Sequence, residues 1–175
     1  MDYFSVYSLP VSFSIDPNVV KKKYYELSKR YHPDFYINQP VEKQQEVLEL
    51  STINNQAYQV LSDPQKRLQY ILELKGLIHE GESYPLPQEF LMEMMDINEA
   101  LMELQFDADP QRLAELKSEV QLVEKALNDQ LSQLTALFDT QTEEKRAQTL
   151  LAIKDIYYRN KYLSRIKEGI RKAEG

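Results

Sequence analysis

A helical spacing of apolar residues first appears after residue 16. It repeats at intervals of three or four residues, at Val20, Tyr24, Leu27 and Tyr31. Asp16 and Pro17 form a typical helix start, because the carboxylate can accept backbone amide hydrogens and proline suits the first turn. Pro33 cannot continue a helix. The pattern therefore predicts an amphipathic helix that begins at residue 17 and ends before Pro33.

Two more helices are predicted before residue 76. The second begins near Pro40 and ends at Ser62-Asp63-Pro64, a sequence that also caps a short third helix. Gly76 ends this third helix. Strand patterns are rare in the whole chain, and its four glycines and abundant Leu, Glu, Gln and Lys favour an all-α fold.

The segment between Gly76 and Pro87 has two glycines, two prolines and no helical period. This composition is typical of a loop or a linker. His79 lies inside the segment and is expected to be a solvated loop residue. We predict an amino-terminal domain over residues 1–75 and a linker over residues 76–86.

Three longer helices are predicted after the linker, over about residues 87–106, 110–138 and 142–172. The first two keep a nearly heptad spacing of apolar residues, at Phe90, Met94, Ile97, Leu101, Leu104, Leu113, Leu116, Val120, Val123, Leu127 and Leu134. Short breaks between the helices favour antiparallel neighbours. We therefore predict an antiparallel three-helix bundle over residues 87–175.

Composition limits the chemistry that the chain can perform. With 175 residues and 42% apolar residues, it can bury one core or two small ones. It has no cysteine, which excludes disulfides, thiolate metal sites and cysteine nucleophiles. Its start lacks a signal-peptide pattern, and no stretch is long and apolar enough for a membrane span. A soluble protein is expected.

Charge is unevenly distributed along the chain. The net charge is −7, yet residues 1–75 are balanced, so the acidic excess follows the third helix. The first helix carries five basic residues opposed only by Glu26, which in an acidic protein favours an acidic protein partner and not nucleic acid. Residues 80–144 hold sixteen acids against three bases, and residues 145–172 hold nine bases against two acids. The last helix should therefore offset the charge of the other bundle helices.

The first helix leads into His32-Pro33-Asp34, which contains one of only two histidines. A metal site would need further ligands, and His79 is the only other imidazole. A serine hydrolase motif such as GxSxG is absent, so catalysis by this chain is not expected. Taken alone, the tripeptide is equally compatible with a simple turn that ends a helix.

Longer stretches around the tripeptide resemble a known family. LSKRYHPDF follows a basic helix and precedes INNQAYQVLSDPQKRLQYI, and this combination resembles the J-domain of DnaJ-type co-chaperones. DYFSVYSLPVSFSID and FLMEMMDINEALMEL are similar to HscB, the J-protein of iron–sulfur cluster biogenesis. The resemblance implies an L-shaped, all-α protein, in which an amino-terminal J-domain with a helical hairpin is joined to a carboxy-terminal three-helix bundle.

The resemblance also implies a function exerted by contact. J-domains bind the ATP form of a DnaK-class chaperone, here an HscA-like one, and accelerate its ATP hydrolysis. His32, Pro33 and Asp34 would be the trigger, and a basic helix face would steer binding, through Lys22, Lys23, Lys29 and Arg30. Some eukaryotic relatives carry a cysteine-rich, metal-binding extension. This chain starts at the J-domain, so a bacterial, cytoplasmic form with no metal or other cofactor is expected.

The bundle would bind the iron–sulfur scaffold IscU. On the first bundle helix, methionines and acids share the face away from the core, at Leu91, Met92, Met95, Asp96, Glu99, Met102 and Glu103. The resemblance implies a scaffold contact for these residues except Met102, joined by Tyr158, with Tyr157 as a rival. The alternative is that this face packs against the linker or the J-domain.

Other functions stay open at this point. A generic J-domain co-chaperone with a different client is the nearest alternative. A purely structural helical adaptor would leave the His-Pro-Asp context unused. An enzyme would need a substrate pocket around His32 that the sequence does not supply, and turnover by the isolated protein would reveal it.

Overall fold

The computed structural model describes all 175 residues and confirms the all-α fold. Seven α-helices and one 3-10 helix form two compact units, Met1–Leu77 and Ile78–Gly175. None of the helices combines the length and apolar character that crossing a bilayer requires. The α-helices are α1 (Tyr3–Val6), α2 (Pro17–Arg30), α3 (Val41–Leu61), α4 (Pro64–Leu74), α5 (Gln88–Phe106), α6 (Pro110–Thr140) and α7 (Glu143–Glu174), and the 3-10 helix is Pro33–Tyr36.

An aspartate followed by proline sets the start of three helices. Asp16 accepts the backbone amide of Asn18 at 2.9 Å, and proline occupies the first turn of α2, as predicted. Asp63 and Asp109 cap α4 and α6 in the same way, each followed directly by proline. Such caps satisfy amide groups that have no partner within the helix. The cap and proline together explain why these helix starts were readable from sequence.

The amino-terminal unit is built on the pairing of α2 with α3. Val20 is the buried residue of the apolar stripe on α2, and Tyr24, Leu27 and Tyr31 are half-buried. Tyr24 stacks on Tyr58 of α3, with ring centroids 4.3 Å apart. The short helix α1, which the sequence pattern did not predict, adds Phe4 and Tyr7 to the same core.

Asn54 of α3 is a buried polar residue that ties three segments together. Its amide group donates to the Tyr24 carbonyl and to the Ser28 hydroxyl, both in α2, at 3.1 Å. Its side-chain oxygen accepts from the Tyr7 hydroxyl at 2.9 Å. A single side-chain amide, whose polar atoms are all satisfied, therefore links α2, α3 and the residue that follows α1.

The carboxy-terminal unit is the predicted three-helix bundle. Helices α6 and α7 are antiparallel. This is seen from the ion pair at 2.6 Å between Lys117, near the start of α6, and Glu174, at the end of α7. At the opposite end, the Arg146 side chain donates to the Phe138 carbonyl. The core contains apolar residues from all three helices, namely Phe90, Met94, Ile97, Leu101, Leu116, Val120, Leu127, Ile156, Leu163, Ile166 and Ile170.

Residues between α4 and α5 form a non-helical segment that contains the boundary between the two units. Gly76 ends α4 with φ +70°, a conformation that glycine adopts without strain. His79 is exposed, as expected. Glu82 and Tyr84 contact α7 through Lys154 and Asp155, so this part of the segment is held against the bundle.

Replacing Asn54 by alanine should destabilise the amino-terminal unit. The change removes two hydrogen bonds to α2 and leaves the buried Tyr7 hydroxyl without its side-chain acceptor, which should cost about 1 to 3 kcal/mol. Urea unfolding followed by circular dichroism measures this. Gln59→Ala, at an exposed position of the same helix, is the control and should cost less than about 0.5 kcal/mol. Equal stability of the two variants would contradict the role of Asn54.

Candidate functional site

His32, Pro33 and Asp34 form a tight turn where α2 ends. His32 caps the 3-10 helix, and its Nδ1 accepts the backbone amide of Asp34 at 3.3 Å. Because Nδ1 is the acceptor, the neutral ring carries its hydrogen on Nε2. The side chain of His32 is 52% exposed and that of Asp34 is 78% exposed. A ring N–H donor and a carboxylate are thus offered to solvent side by side.

The turn is anchored on both sides. Pro33 fixes the first residue of the 3-10 helix. The Tyr36 hydroxyl donates to the Arg30 carbonyl at 2.8 Å, which holds the turn against the end of α2. The Gln44 side chain of α3 donates to the carbonyls of Ile37 and Gln39. His32, Pro33 and Asp34 therefore lie on a braced turn rather than on a free loop.

Exposed apolar residues border the turn, a feature that the sequence pattern did not reveal. Phe35 is 73% exposed, and Ile37 and Val41 are 67% and 65% exposed. The Phe35 ring lies 5.6 Å from the His32 ring. No helical period links these residues, and only their position directly after the tripeptide could have indicated them. Exposed apolar side chains next to an exposed polar turn are typical of a contact surface.

The basic face of α2 is free of acidic partners. Lys22, Lys29 and Arg30 are exposed, and Lys23 is half-buried. None of the four takes part in an ion pair, and Glu26 is the only acid of the helix. Their positive charge is thus not neutralised within the chain and can attract an acidic surface.

On α5, the face away from the core carries the predicted mixture of methionines and acids. Met92, Met95 and Met102 are 60%, 56% and 60% exposed, and Leu91 is half-buried. The acids of this face are exposed and form no ion pair, namely Asp96, Glu99 and Glu103. Large flexible apolar side chains beside unpaired carboxylates form an adaptable surface with a charged rim.

The structure places Tyr158, for which the resemblance implies a scaffold contact, away from solvent. Tyr158 is only 9% exposed, and its hydroxyl donates to Glu82 at 2.7 Å. Tyr84 stacks on it with a centroid distance of 4.5 Å. Tyr157, the rival residue, is half-buried and lies edge-on to Tyr158. The cover comes from a segment more than seventy residues earlier, so no local pattern could indicate it.

Charge and burial explain why the hydrogen bond between Glu82 and Tyr158 is stable at neutral pH. Lys154, 2.9 Å away, and the Tyr158 hydroxyl hold the pKa of Glu82 down to about 2. Burial, followed by the Glu82 contact, raises the pKa of Tyr158 well above its usual value. Because the pKa of Glu82 is lowered by folding, its stabilising contribution is complete above about pH 4.5 and is lost as the pH falls toward 2.

Comparison with known proteins assigns the family. Residues 2–70 match the family model of the DnaJ domain, and residues 86–171 match that of the HscB C-terminal oligomerisation domain. The chain belongs to the HscB family of J-domain co-chaperones. The two matches cover both units, so the resemblance seen in the sequence is confirmed for the J-domain and for the HscB-type bundle.

Known relatives of this HscB-family chain match it over almost its whole length. It is 27% identical over 175 residues to the co-chaperone protein HscB of Proteus mirabilis, covering 99% of this chain and 96% of that protein. The solved chaperone HscB from Vibrio cholerae is 27% identical, with a TM-score of 0.63, and 99% and 98% of the two chains are covered. Human co-chaperone HscB is 28% identical, with a TM-score of 0.71 and 99% and 82% coverage.

Truncation to alanine should lower the free energy of unfolding at the buried tyrosine much more than at the exposed methionines. Tyr158→Ala removes a stacked ring and should cost the bundle about 2 to 4 kcal/mol in free energy of unfolding. Met92→Ala and Met95→Ala, at exposed sites, should each cost less than about 0.5 kcal/mol. Urea unfolding measures all three. A Tyr158→Ala variant as stable as the methionine variants would contradict the observed burial.

Proposed function

We propose that this J-protein binds the ATP form of an HscA-like, DnaK-class chaperone, accelerates its ATP hydrolysis and delivers an IscU-type iron–sulfur scaffold to it. The protein itself is a regulator and not an enzyme, because the hydrolysed bond belongs to the partner's nucleotide. One observation carries the proposal. The turn of His32, Pro33 and Asp34 is exposed and braced, and it adjoins a basic helix face without partners in the chain.

In this proposal the turn acts by hydrogen bonding to the chaperone. His32 offers its Nε2 hydrogen, and Asp34 offers a carboxylate that accepts from cationic or amide groups. Pro33 and the Tyr36 contact hold both groups in place before binding. A preorganised turn loses little conformational entropy on contact, which favours a short polar motif as a trigger.

The basic face of α2 guides the encounter. Lys22, Lys29 and Arg30 point uncompensated charge toward solvent, so they attract an acidic chaperone surface over roughly 8 to 10 Å at physiological salt. Complementary charge acts mainly on the association rate. The exposed ring of Phe35 then adds apolar contact beside the trigger.

The bundle holds the scaffold through the α5 face. Met92 and Met95 supply apolar anchors, and Asp96, Glu99 and Glu103 form an acidic rim suited to basic residues of the partner. Leu91 and Tyr158 line one cleft at the edge of this face, so Tyr158 contributes a firm wall rather than an exposed anchor. A J-protein with a different client is the second candidate, and titration of the wild-type protein with a purified IscU-type scaffold distinguishes it.

His32→Gln should abolish stimulation of the chaperone ATPase while circular dichroism and melting stay unchanged, because the ring is exposed and no core contact is lost. Single-turnover ATP hydrolysis by an HscA-like chaperone measures the effect. His79→Gln makes the same change at the exposed histidine between α4 and α5 and should retain full stimulation. Normal stimulation by His32→Gln would remove the trigger assignment.

Met92→Ala combined with Met95→Ala should abolish scaffold binding and spare stimulation of the chaperone without a client. Truncating two interface anchors costs about 1 to 3 kcal/mol each, enough to weaken a micromolar complex past detection. Titration calorimetry with a purified IscU-type scaffold measures binding. Leu122→Ala with Leu151→Ala changes two exposed leucines on α6 and α7 and serves as the control. Full binding by the methionine variant would show that the client contacts another surface.

A further inference from the structure

An open cleft of about 420 Å³ lies in the bundle unit, between α7 and the segment that precedes α5. Tyr84, Pro85 and Leu86 form one wall, and Tyr158 and Tyr162 of α7 form another. The stacked rings of Tyr84 and Tyr158 lie 9° from parallel, and both hydroxyls are held by carboxylates. The aromatic walls are therefore fixed before any ligand enters.

Two cations line this cleft without an acidic partner. Lys161 and Arg165 are one helical turn apart on α7, both are exposed, and neither forms an ion pair. The Lys161 ammonium group lies over the face of the Tyr158 ring, 5.9 Å from its centroid. Glu82 is the one acid in the lining, and it is already held by Lys154 and by the Tyr158 hydroxyl. The cleft thus presents two unneutralised positive charges.

This positive site is unusual for its helix. Most other cations of α7 are neutralised, since Lys154, Arg159, Lys167 and Arg171 each pair with a carboxylate between 2.6 and 2.9 Å away. The domain also has acids in excess over residues 80–144, and none of them reaches these two side chains. Free cations beside apolar walls can take up a carboxylate without breaking an existing ion pair.

The cleft is continuous with the α5 surface through Leu91, which lines it. From this residue the surface carries unpaired acids along α5 on one side and unpaired cations on α7 on the other. A partner that covers both sides must present charges of both signs in a matching order. The order of signs fixes its orientation, because a reversed partner would bring like charges together.

We propose that this cleft binds an acidic residue, with an apolar neighbour, of the same scaffold protein that contacts the methionine face. The carboxylate pairs with Lys161 and Arg165, and the apolar side chain packs between Tyr84, Leu86 and Leu91. The inference rests on the proposed function, and it names the chemistry that a client must carry at this point.

Reversing both charges tests the cleft. Lys161→Glu combined with Arg165→Glu should raise the Kd for a purified IscU-type scaffold about tenfold or more, and the variant should lose part of the salt dependence of the wild type. Lys145→Glu with Lys172→Glu makes the same change in net charge at exposed cations of α7 that do not line the cleft, and it should leave Kd within about twofold. Circular dichroism and chaperone stimulation should match the wild type for both.

The possible results distinguish a failure of the cleft proposal from a failure of the proposed function. Unchanged affinity of the cleft variant, with loss of binding in the methionine variant, would overturn the cleft proposal and leave the proposed function standing. Equal loss of scaffold affinity in the Lys145→Glu, Lys172→Glu control would show that net charge alone explains the effect. This result would also overturn the cleft proposal. A wild-type protein that does not bind the scaffold would overturn both. A change in sedimentation of the cleft variant alone, with scaffold affinity retained, would point to a second copy of this chain and contradict the proposal.

Discussion

The buried amide of Asn54 is the interaction on which the geometry of the J-domain depends. It joins α2 to α3 through Tyr24 and Ser28, and it joins both helices to the α1 segment through Tyr7. With these helices fixed, the ends of α2 and α3 can brace the turn between them, through Tyr36 and Gln44. A polar residue in the core thus joins the helices whose ends hold the exposed His-Pro-Asp turn.

The charged groups of the α2, α5 and cleft surfaces share one physical property, which is the lack of an ion-pair partner within the chain. The α2 lysines, the α5 carboxylates and the two cleft cations form no ion pairs, whereas many other charges of the bundle do. The exposed methionines of α5 and Phe35 are the apolar counterpart. The chain leaves charge and apolar area unsatisfied at a few places, where a second protein can complete them.

The features that could be predicted from the sequence are those determined by residues close together in the chain. Asp16, Asp63 and Asp109, each followed by proline, define helix starts within a few residues, and regular apolar spacing defines the bundle core. The His-Pro-Asp turn and the α5 face were also found, because each is contiguous in sequence. Exposure of these residues agrees with the prediction, and their roles in binding stay proposals.

Features that depend on distant contacts were beyond the sequence. Helix α1 has four residues, too few for a period, and is held by tertiary contacts such as the Tyr3 amide donating to the Tyr70 hydroxyl at 3.0 Å. The burial of Tyr158 requires Glu82 and Tyr84, which lie in a stretch without periodicity. The cleft beside it exists only because that stretch folds onto α7.

In the proposed function, one chain couples a scaffold to a chaperone through two separate surfaces. Steady-state ATP hydrolysis by an HscA-like chaperone tests it most directly, measured with this protein, with an IscU-type scaffold, and with both. We expect acceleration by this protein alone and a larger acceleration when the scaffold is also present. Hydrolysis that this protein does not accelerate, or acceleration to which the scaffold adds nothing, would contradict it.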